Sequence, residues 1–131
     1  MDYTDAFLHY ASHHTWTRIA PSKIHGIGVF AIIDIPVGTD VFPDCLNLFK
    51  EVDFKKLKGI PDPVKKMATD LLYYDEEKIW LPNLTLNQMN VSFFLNSSEN
   101  PNCKMQDNGK ITSTRKIEAG EELTHRYEFL T

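Results

Sequence analysis

The sequence has few cysteines and no long run of apolar residues, and both absences restrict what the protein can be. Cys45 and Cys103 are its only cysteines, too few for a disulfide framework or for a zinc site made of cysteines alone. We expect both to be reduced thiols. No apolar run approaches the roughly 18–20 residues of a membrane span, and the acidic N-terminus lacks the apolar core of a signal peptide. These absences predict a soluble intracellular protein, cytoplasmic or nuclear, that does not enter a membrane.

The chain also lacks an excess of positive charge. It has 14 Lys and Arg residues against 18 Asp and Glu residues, a net charge of −4. This charge argues against direct binding of nucleic acid, whereas a local acidic site for a basic peptide is compatible with it. Hydrophobic residues make up 42% and charged residues 24% of the chain, which is typical of a folded globular protein.

No repeat, low-complexity tract or linker divides the 131 residues, so we expect one principal domain. Residues 1–17 are predicted to be a polar leader, either a solvated helix or a loosely ordered end, and residues 18–131 the domain itself. His9 and His13 in the leader have the spacing of metal ligands on one helix face. No carboxylate or thiol stands at a matching spacing, so no metal site is predicted.

Short strands dominate the rest of the pattern. Residues 24–42 are rich in Val, Ile and Phe and contain a turn at 36–38. A hairpin is predicted around residues 75–77, and the Asn-Gly pair at 108–109 is a strong signal for a tight turn between two strands. A further turn ends at Gly120, and a last strand follows it.

One clear helix is predicted in the middle of the chain. Asp62 can cap its start, and Pro63 suits its first position. Five apolar residues then recur at helical spacing and are predicted to pack into the core. These five are Val64, Met67, Ala68, Leu71 and Leu72. Many short strands with one helix predict a mainly β fold of the mixed α+β class.

Residues 93–103, FFLNSSENPNC, carry an apolar stretch into a cluster of amides and hydroxyls. Alone, such a segment is typical of a surface turn, since short polar side chains bond to their own backbone. The Gly-x-Gly at 26–28 would alone indicate a β-bulge. Two other stretches resemble each other, IIDIPVG at 32–38 and TRKIEAGEEL at 114–123. Each combines strand residues with a short charged turn that ends in glycine.

Together these motifs resemble those of the SET domain, the fold of many protein lysine methyltransferases. The family's usual landmarks are a G-x-G-x-F-A segment, an Asn-His-Ser-x-x-Pro-Asn segment and a G-E-E-L-T-x-x-Tyr strand. They correspond here to GIGVFA at 26–31, NSSENPN at 96–102 and GEELTHRY at 120–127. The resemblance covers about residues 18–128, in the family's order. It implies a minimal domain of several short-stranded sheets, one or two helices and a knot-like C-terminal core, without zinc-binding flanks.

The resemblance also implies an enzyme that transfers methyl groups from S-adenosylmethionine to the amine of a lysine in a protein substrate, for instance on a basic tail, leaving S-adenosylhomocysteine. Tyr127 stands at the position of the catalytic tyrosine. Its hydroxyl would align the methyl group rather than act as a base, because a phenol has a pKa of about 10. His125, also assigned to the catalytic site, stands at a position that lines the lysine pocket. The residues expected to bind the cofactor are Ile24, His25, Gly26, Ile27, Gly28, Phe94, Asn96, Ser97 and Tyr127.

The sequence departs from the family at Ser97 and His125. Ser97 replaces a histidine that contacts the cofactor largely through its backbone, so weaker cofactor affinity is expected. His125 replaces a Tyr or Phe; it is polar but smaller than Tyr, which predicts mono- and dimethyl-lysine as the main products. The chain ends soon after Tyr127, without the segment that usually covers the lysine channel. A homodimer whose second chain shields the site is therefore expected.

Two other hypotheses stay open at the level of sequence. Ser97, His125 and the missing cover favour a SET-like protein-binding module that is catalytically weak or inactive. A structural β-rich domain, alike only in fold, is the third hypothesis. Asn96, the Pro-Asn pair at 101–102 and the strand that leads to Tyr127 favour the enzyme.

Overall fold

The computed structural model describes residues 2–43, 45 and 48–126. Within this part of the chain, two α-helices, α1 (Thr4–His13) and α2 (Asp62–Leu71), accompany eight short strands. The strands are β1 (Thr17–Pro21), β2 (Ile27–Ala31), β3 (Phe49–Asp53), β4 (Lys78–Pro82), β5 (Asn96–Ser97), β6 (Cys103–Met105), β7 (Ile111–Ser113) and β8 (Glu122–His125). Short 3₁₀ helices cover Phe54–Leu57, Leu86–Gln88 and Val91–Phe94. The predicted mainly β fold of the α+β class is confirmed.

The largest sheet has four strands in the order β1-β2-β8-β5. β1, β2 and β8 are antiparallel neighbours, whereas β5 runs parallel to β8. This parallel pairing sets Asn96 opposite Thr124 and Ser97 opposite His125. The C-terminal strand therefore lies between two strands that come from much earlier in the chain, and it brings the separate sequence motifs to one place.

Two antiparallel hairpin-like pairs, β3 with β4 and β6 with β7, complete the sheets. The Asn-Gly turn predicted between β6 and β7 is confirmed, with Gly109 at φ +86°. The turn predicted at residues 75–77 is also present: the Asp75 carboxylate accepts hydrogen bonds from the amides of Glu77 and Lys78, both at 2.8 Å. The strand after that turn, β4, pairs along its length with β3. A short hairpin also joins it to the residues before the turn, through the bridge of Tyr74 with Ile79 and the bond from the Trp80 amide to the Tyr73 carbonyl at 3.1 Å.

The two stretches that resemble each other in sequence pair with each other in the structure. The Ile35 amide donates to the Ile117 carbonyl at 2.7 Å, and the Ile117 amide donates back at 2.9 Å. Both isoleucines are completely buried. Each stretch ends in a glycine with positive φ, Gly38 at +80° and Gly120 at +91°, which residues with a Cβ rarely adopt. The repeated sequence pattern thus corresponds to a paired structural feature at the centre of the fold.

Helix α2 begins where the sequence predicts but without the predicted cap. The residue at the N-cap is Pro61, and no side chain accepts a hydrogen bond there. Asp62 lies one position further, inside the first turn, where its charge interacts favourably with the positive end of the helix dipole. The prediction that Asp62 caps the helix is therefore wrong by one residue. Pro63 is therefore the second residue of the helix rather than the first, although it still lies in the first turn.

Only part of the predicted apolar stripe of α2 is buried. Ala68 and Leu72 are buried against the pair of strands β3 and β4. Val64 and Met67 are 40% and 37% exposed, so the prediction that they belong to the core is wrong. Both lie outside the apolar cluster that Leu57, Ala68, Leu72 and Ile79 form, so this part of the helix face stays in contact with solvent.

The main core lies under the four-stranded sheet and, among the residues that the structure describes, contains ten that are buried. They are Val29, Ala31, Ile35, Val41, Phe42, Leu95, Cys103, Ile111, Ile117 and Leu123. The leader contains helix α1, none of whose side chains is buried. Neither α1 nor α2 is long and apolar enough to cross a membrane, and the described residues contain no other α-helix.

Candidate functional site

The residues between β1 and β2 form a tight loop that Ser22 organises. The Ser22 amide donates to the Gly26 carbonyl at 2.8 Å. The Ser22 hydroxyl oxygen accepts from the Ile24 amide at 2.9 Å and from the His25 amide at 3.4 Å. Gly26 has a φ of +45°, in the region that favours glycine. This loop contains three of the predicted cofactor residues, Ile24, His25 and Gly26, and two more, Ile27 and Gly28, begin β2. Ser22, which the sequence did not single out, holds the loop in shape.

Asn96, on β5, is where this loop meets the C-terminal strand. Its side-chain nitrogen Nδ2 lies 3.1 Å from Ser22 Oγ and 3.1 Å from the His25 carbonyl oxygen. The Ile27 carbonyl oxygen is 3.4 Å away, and Glu122 Oε2 is 2.9 Å away. An amide nitrogen carries only two hydrogens and cannot donate fully to four oxygens. The cluster therefore has a surplus of hydrogen-bond acceptors, which suits a positively charged amino group.

Glu122, at the start of β8, is the charged member of this cluster. Its carboxylate accepts from the Ser22 hydroxyl, with oxygen–oxygen distances of 2.8 and 2.9 Å. It lies across the backbone of Gly28, where a Cβ atom would come within 2.3 Å of Glu122 Oε2. Gly28 is thus needed to admit the chain's own carboxylate. Glu122 belongs to the GEELT motif at 120–124, and this motif could have indicated that Glu122 lies in the site. The sequence analysis gave it no role.

Asn102 attaches the Pro-Asn turn to β8. It is 2% exposed, its Nδ2 donates to the Glu122 carbonyl at 2.9 Å, and its Oδ1 accepts from the Thr124 amide at 2.8 Å. Both ends of this buried amide are therefore satisfied by one strand. Asn96 and Asn102 thus carry hydrogen-bonding groups into the sheet. Between them the chain does make an exposed turn, in which the Ser98 hydroxyl accepts from the Asn100 amide at 3.1 Å.

The other predicted cofactor residues lie at different depths around this cluster. Ile24 and Ile27 are 53% and 46% exposed. A Cβ added at Gly26 would have no atom within 4 Å, so this glycine faces open space. Ser97 is exposed at the end of β5. Phe94 is half-buried and packs against the main core. The structure thus brings the loop residues and Asn96 together, places Ser97 beside them, and gives Phe94 a packing role.

His125 occupies the other end of β8 and lines a cavity of about 660 Å³. It is 4% exposed, and burial lowers its pKa from 6.5 to about 4. The imidazole is therefore neutral at pH 7. Two pairs of aromatic rings also line this cavity, Phe49 with Phe93 at 6.0 Å and Tyr73 with Trp80 at 5.0 Å between ring centroids. The surface of the cavity is thus largely apolar, with the neutral His125 ring in its wall and several charged side chains also lining it.

Strand β8 connects the acceptor cluster and the pocket. Glu122 and His125 are its first and last residues, three residue steps apart, or roughly 10 Å along an extended chain. Tyr127, the predicted catalytic tyrosine, lies outside the described residues, so its predicted role stays a prediction.

The cysteines and histidines do not favour a cysteine nucleophile or a metal site. Burial raises the pKa of Cys103 to about 12, so its thiol is not ionised near neutral pH and is a poor nucleophile. The His9 and His13 rings stack with their centroids 4.5 Å apart. Across residues 2–43, 45 and 48–126, no group of three or more His, Cys, Asp or Glu side chains has the geometry to hold a metal ion.

Comparisons with known proteins agree with this arrangement. A family model, the SET domain, matches residues 26–128, most of the chain. Among solved structures of similar fold is a Plasmodium falciparum protein described as a candidate histone methyltransferase. It is 18% identical, with a TM-score of 0.52, and the match covers 86% of this chain and 93% of that one. No curated protein matches the sequence significantly. The loop before β2, Asn96 and β8 lie in contact, as the three sequence motifs predict. Because the family model matches most of the chain, the chain belongs to the SET-domain family.

Proposed function

We propose that this protein is an S-adenosylmethionine-dependent protein lysine N-methyltransferase. The observation that carries the proposal is the arrangement along β8. An oxygen-rich cluster stands at Glu122, and a largely apolar pocket stands at His125. A cationic cofactor and the aliphatic side chain of a lysine need these two environments, side by side.

The acceptor cluster supports the choice of cofactor. The carboxylate of Glu122, the hydroxyl of Ser22 and the carbonyls of His25 and Ile27 surround the Asn96 amide, and these groups fit the amino group at the methionine end of S-adenosylmethionine. When bound, S-adenosylmethionine supplies an electrophilic methyl group on a sulfonium centre, and S-adenosylhomocysteine remains after transfer. Charged hydrogen bonds of this kind are stronger than neutral ones, so the cluster would contribute affinity as well as orientation.

The pocket supports the choice of a lysine as acceptor. A free lysine has a pKa of about 10.4 and is protonated at pH 7. Entry into a pocket lined by aromatic rings removes water from the amine and favours its neutral, nucleophilic form. His125, with a pKa of about 4, adds no positive charge there and can form a neutral hydrogen bond with the amine. Tyr127 would align the methyl group through its hydroxyl, as the family resemblance implies.

Calorimetry with S-adenosylmethionine tests the cofactor assignment. In Asn96→Ala the amide at the centre of the cluster is lost. Loss of hydrogen bonds worth about 1–3 kcal/mol predicts binding that is roughly 5- to 150-fold weaker. Asn100→Ala is the matched control, because Asn100 is exposed in the same segment and its side chain makes no hydrogen bond to the described residues; its affinity should equal that of wild type. If Asn96→Ala folds normally and binds the cofactor as tightly as wild type, the assignment is wrong.

A further inference from the structure

The charged residues around the pocket differ in balance from the chain as a whole. Three cations line it, Lys104, Lys110 and Arg126, against two anions, Asp40 and Asp107. The whole chain has fewer cations than anions, 14 against 18. We call these five residues the pocket rim. The chain as a whole is acidic, but the charged residues that line its proposed lysine pocket have an excess of positive charge.

The rim cations are available to a ligand. All three are exposed, and no carboxylate of the described residues lies within 4.0 Å of any of them; the four ion pairs in this part of the chain involve other residues. Lys104 and Lys110 both belong to the hairpin that contains β6 and β7, and Arg126 directly follows β8. Positive charge therefore approaches the pocket from two separate elements.

The two rim anions are less able to reach a ligand. The Asp40 carboxylate is half-buried and accepts from the Phe42 amide at 3.3 Å. Asp107 stands at the turn between β6 and β7. An aspartate carboxylate is one methylene from the backbone, whereas lysine and arginine carry their charge on long flexible stems. The cations therefore extend further toward a peptide that crosses the pocket, and His125 adds no charge because it is neutral.

We infer that the pocket selects a lysine flanked by acidic residues, so that the substrate is a protein segment rich in Asp or Glu. This inference rests on the proposed function and specifies its substrate class. The family resemblance named a basic tail as one possible substrate, but the charge beside the pocket favours a segment of the opposite sign. Contact between the rim cations and flanking carboxylates would orient the segment and place its lysine in the pocket.

The test compares three peptides that share one central lysine and differ only in their flanking residues, which are Asp and Glu, Ala, or Arg. Binding is measured by fluorescence anisotropy and methyl transfer by label from S-adenosylmethionine, both at low and high salt. Two surface ion pairs predict that the acidic peptide binds about 2- to 30-fold more tightly than the alanine peptide at low salt, with the advantage reduced at high salt. Equal binding, or preference for the arginine peptide, would overturn the inference.

A charge-reversal variant, Lys104→Glu with Lys110→Glu, should lose the preference for acidic peptides. The matched control is Lys55→Glu with Lys56→Glu, which changes the net charge equally on exposed residues away from the pocket and should keep the preference. The measurements of binding and of methylation distinguish a failure of this inference from a failure of the proposed function. Methylation without an acidic preference refutes the inference alone. If the protein prefers the acidic peptide but methylates none of the three, the result supports the inference about the pocket rim and contradicts the proposed function.

Discussion

A methyl group placed at Gly28 should damage the cofactor site without touching any residue proposed to react. In Gly28→Ala the new Cβ would stand 2.3 Å from Glu122 Oε2, 2.9 Å from Glu122 Cδ and 3.0 Å from Ser22 Cβ. Real Cβ atoms do not approach other heavy atoms at 2.3 Å, so the Glu122 carboxylate must move. Ser22 has less freedom to move, since its own amide is bonded to the Gly26 carbonyl at 2.8 Å.

The size of the loss in stability and in cofactor affinity follows from the hydrogen bonds that Glu122 loses in Gly28→Ala. Its carboxylate would lose the Ser22 hydroxyl, at 2.8 and 2.9 Å, and Asn96 Nδ2, at 2.9 Å. Hydrogen bonds to charged groups contribute about 1.5–3 kcal/mol each, and water replaces part of this because Glu122 is only half-buried. We expect the free energy of unfolding to fall by about 1–3 kcal/mol. Affinity for S-adenosylmethionine should fall about tenfold or more, because Asn96 loses the partner that orients it.

Urea denaturation and calorimetry measure the two effects. The same substitution in a Glu122→Ala background should cost much less, since the closest contact is then absent. Gly38→Ala is the control: unlike Gly28, Gly38 has no atom within 4 Å of the position of the absent Cβ, and its φ is +80°. That variant should lose stability through backbone strain, about 1–2 kcal/mol, but keep full cofactor affinity. Wild-type stability and cofactor affinity in Gly28→Ala would refute the role given to Glu122.

Further predictions concern Asn102, His125 and Tyr127. Asn102→Ala should lower the free energy of unfolding by about 2–4 kcal/mol in urea, because two bonds to β8 are lost and their partners stay buried; an unchanged midpoint would contradict this. As the pH drops from 6.5 to 4, the unfolded chain gains a proton at His125 that the folded chain excludes. The free energy of unfolding of wild type should therefore fall by about 1.4 kcal/mol per pH unit more than that of His125→Phe in that window. Parallel plots of unfolding free energy against pH for the two proteins would contradict this. Mass spectrometry should find mainly mono- and dimethyl-lysine with wild type and more trimethyl-lysine with His125→Phe; an unshifted product would remove His125 from product control. Tyr127→Phe should lower transfer at least tenfold and keep cofactor affinity, and unchanged turnover would limit Tyr127 to packing.

The features that the sequence predicted well are those with a local physical cause. The turns at Gly38, Gly109 and Gly120 all have positive φ, which glycine tolerates better than other residues. Helix α2 follows from its period and from Pro63 near its start. The motif at 26–31 and Asn96 were assigned to one site through the family resemblance, and the structure places them in contact.

The features that the sequence did not predict depend on contacts between distant parts of the chain. Glu122 faces Gly28 because β8 pairs with β2, and no local pattern encodes that pairing. His125 is buried because β8 lies between β2 and β5, although a histidine alone does not indicate burial. Val64 and Met67 are exposed although they share the helical period of the buried Ala68 and Leu72. A period shows which residues share a helix face, but not how much of that face another element covers.

The most direct test of the proposed function is the identity of the labelled product. The purified protein is incubated with S-adenosylmethionine carrying a labelled methyl group and with a protein lysate, and the labelled amino acids are identified after hydrolysis. The proposal predicts label in methylated lysine, reduced in Asn96→Ala and unchanged in Asn100→Ala. Label in another amino acid, or no transfer from a protein that binds the cofactor, would contradict lysine methylation as its activity.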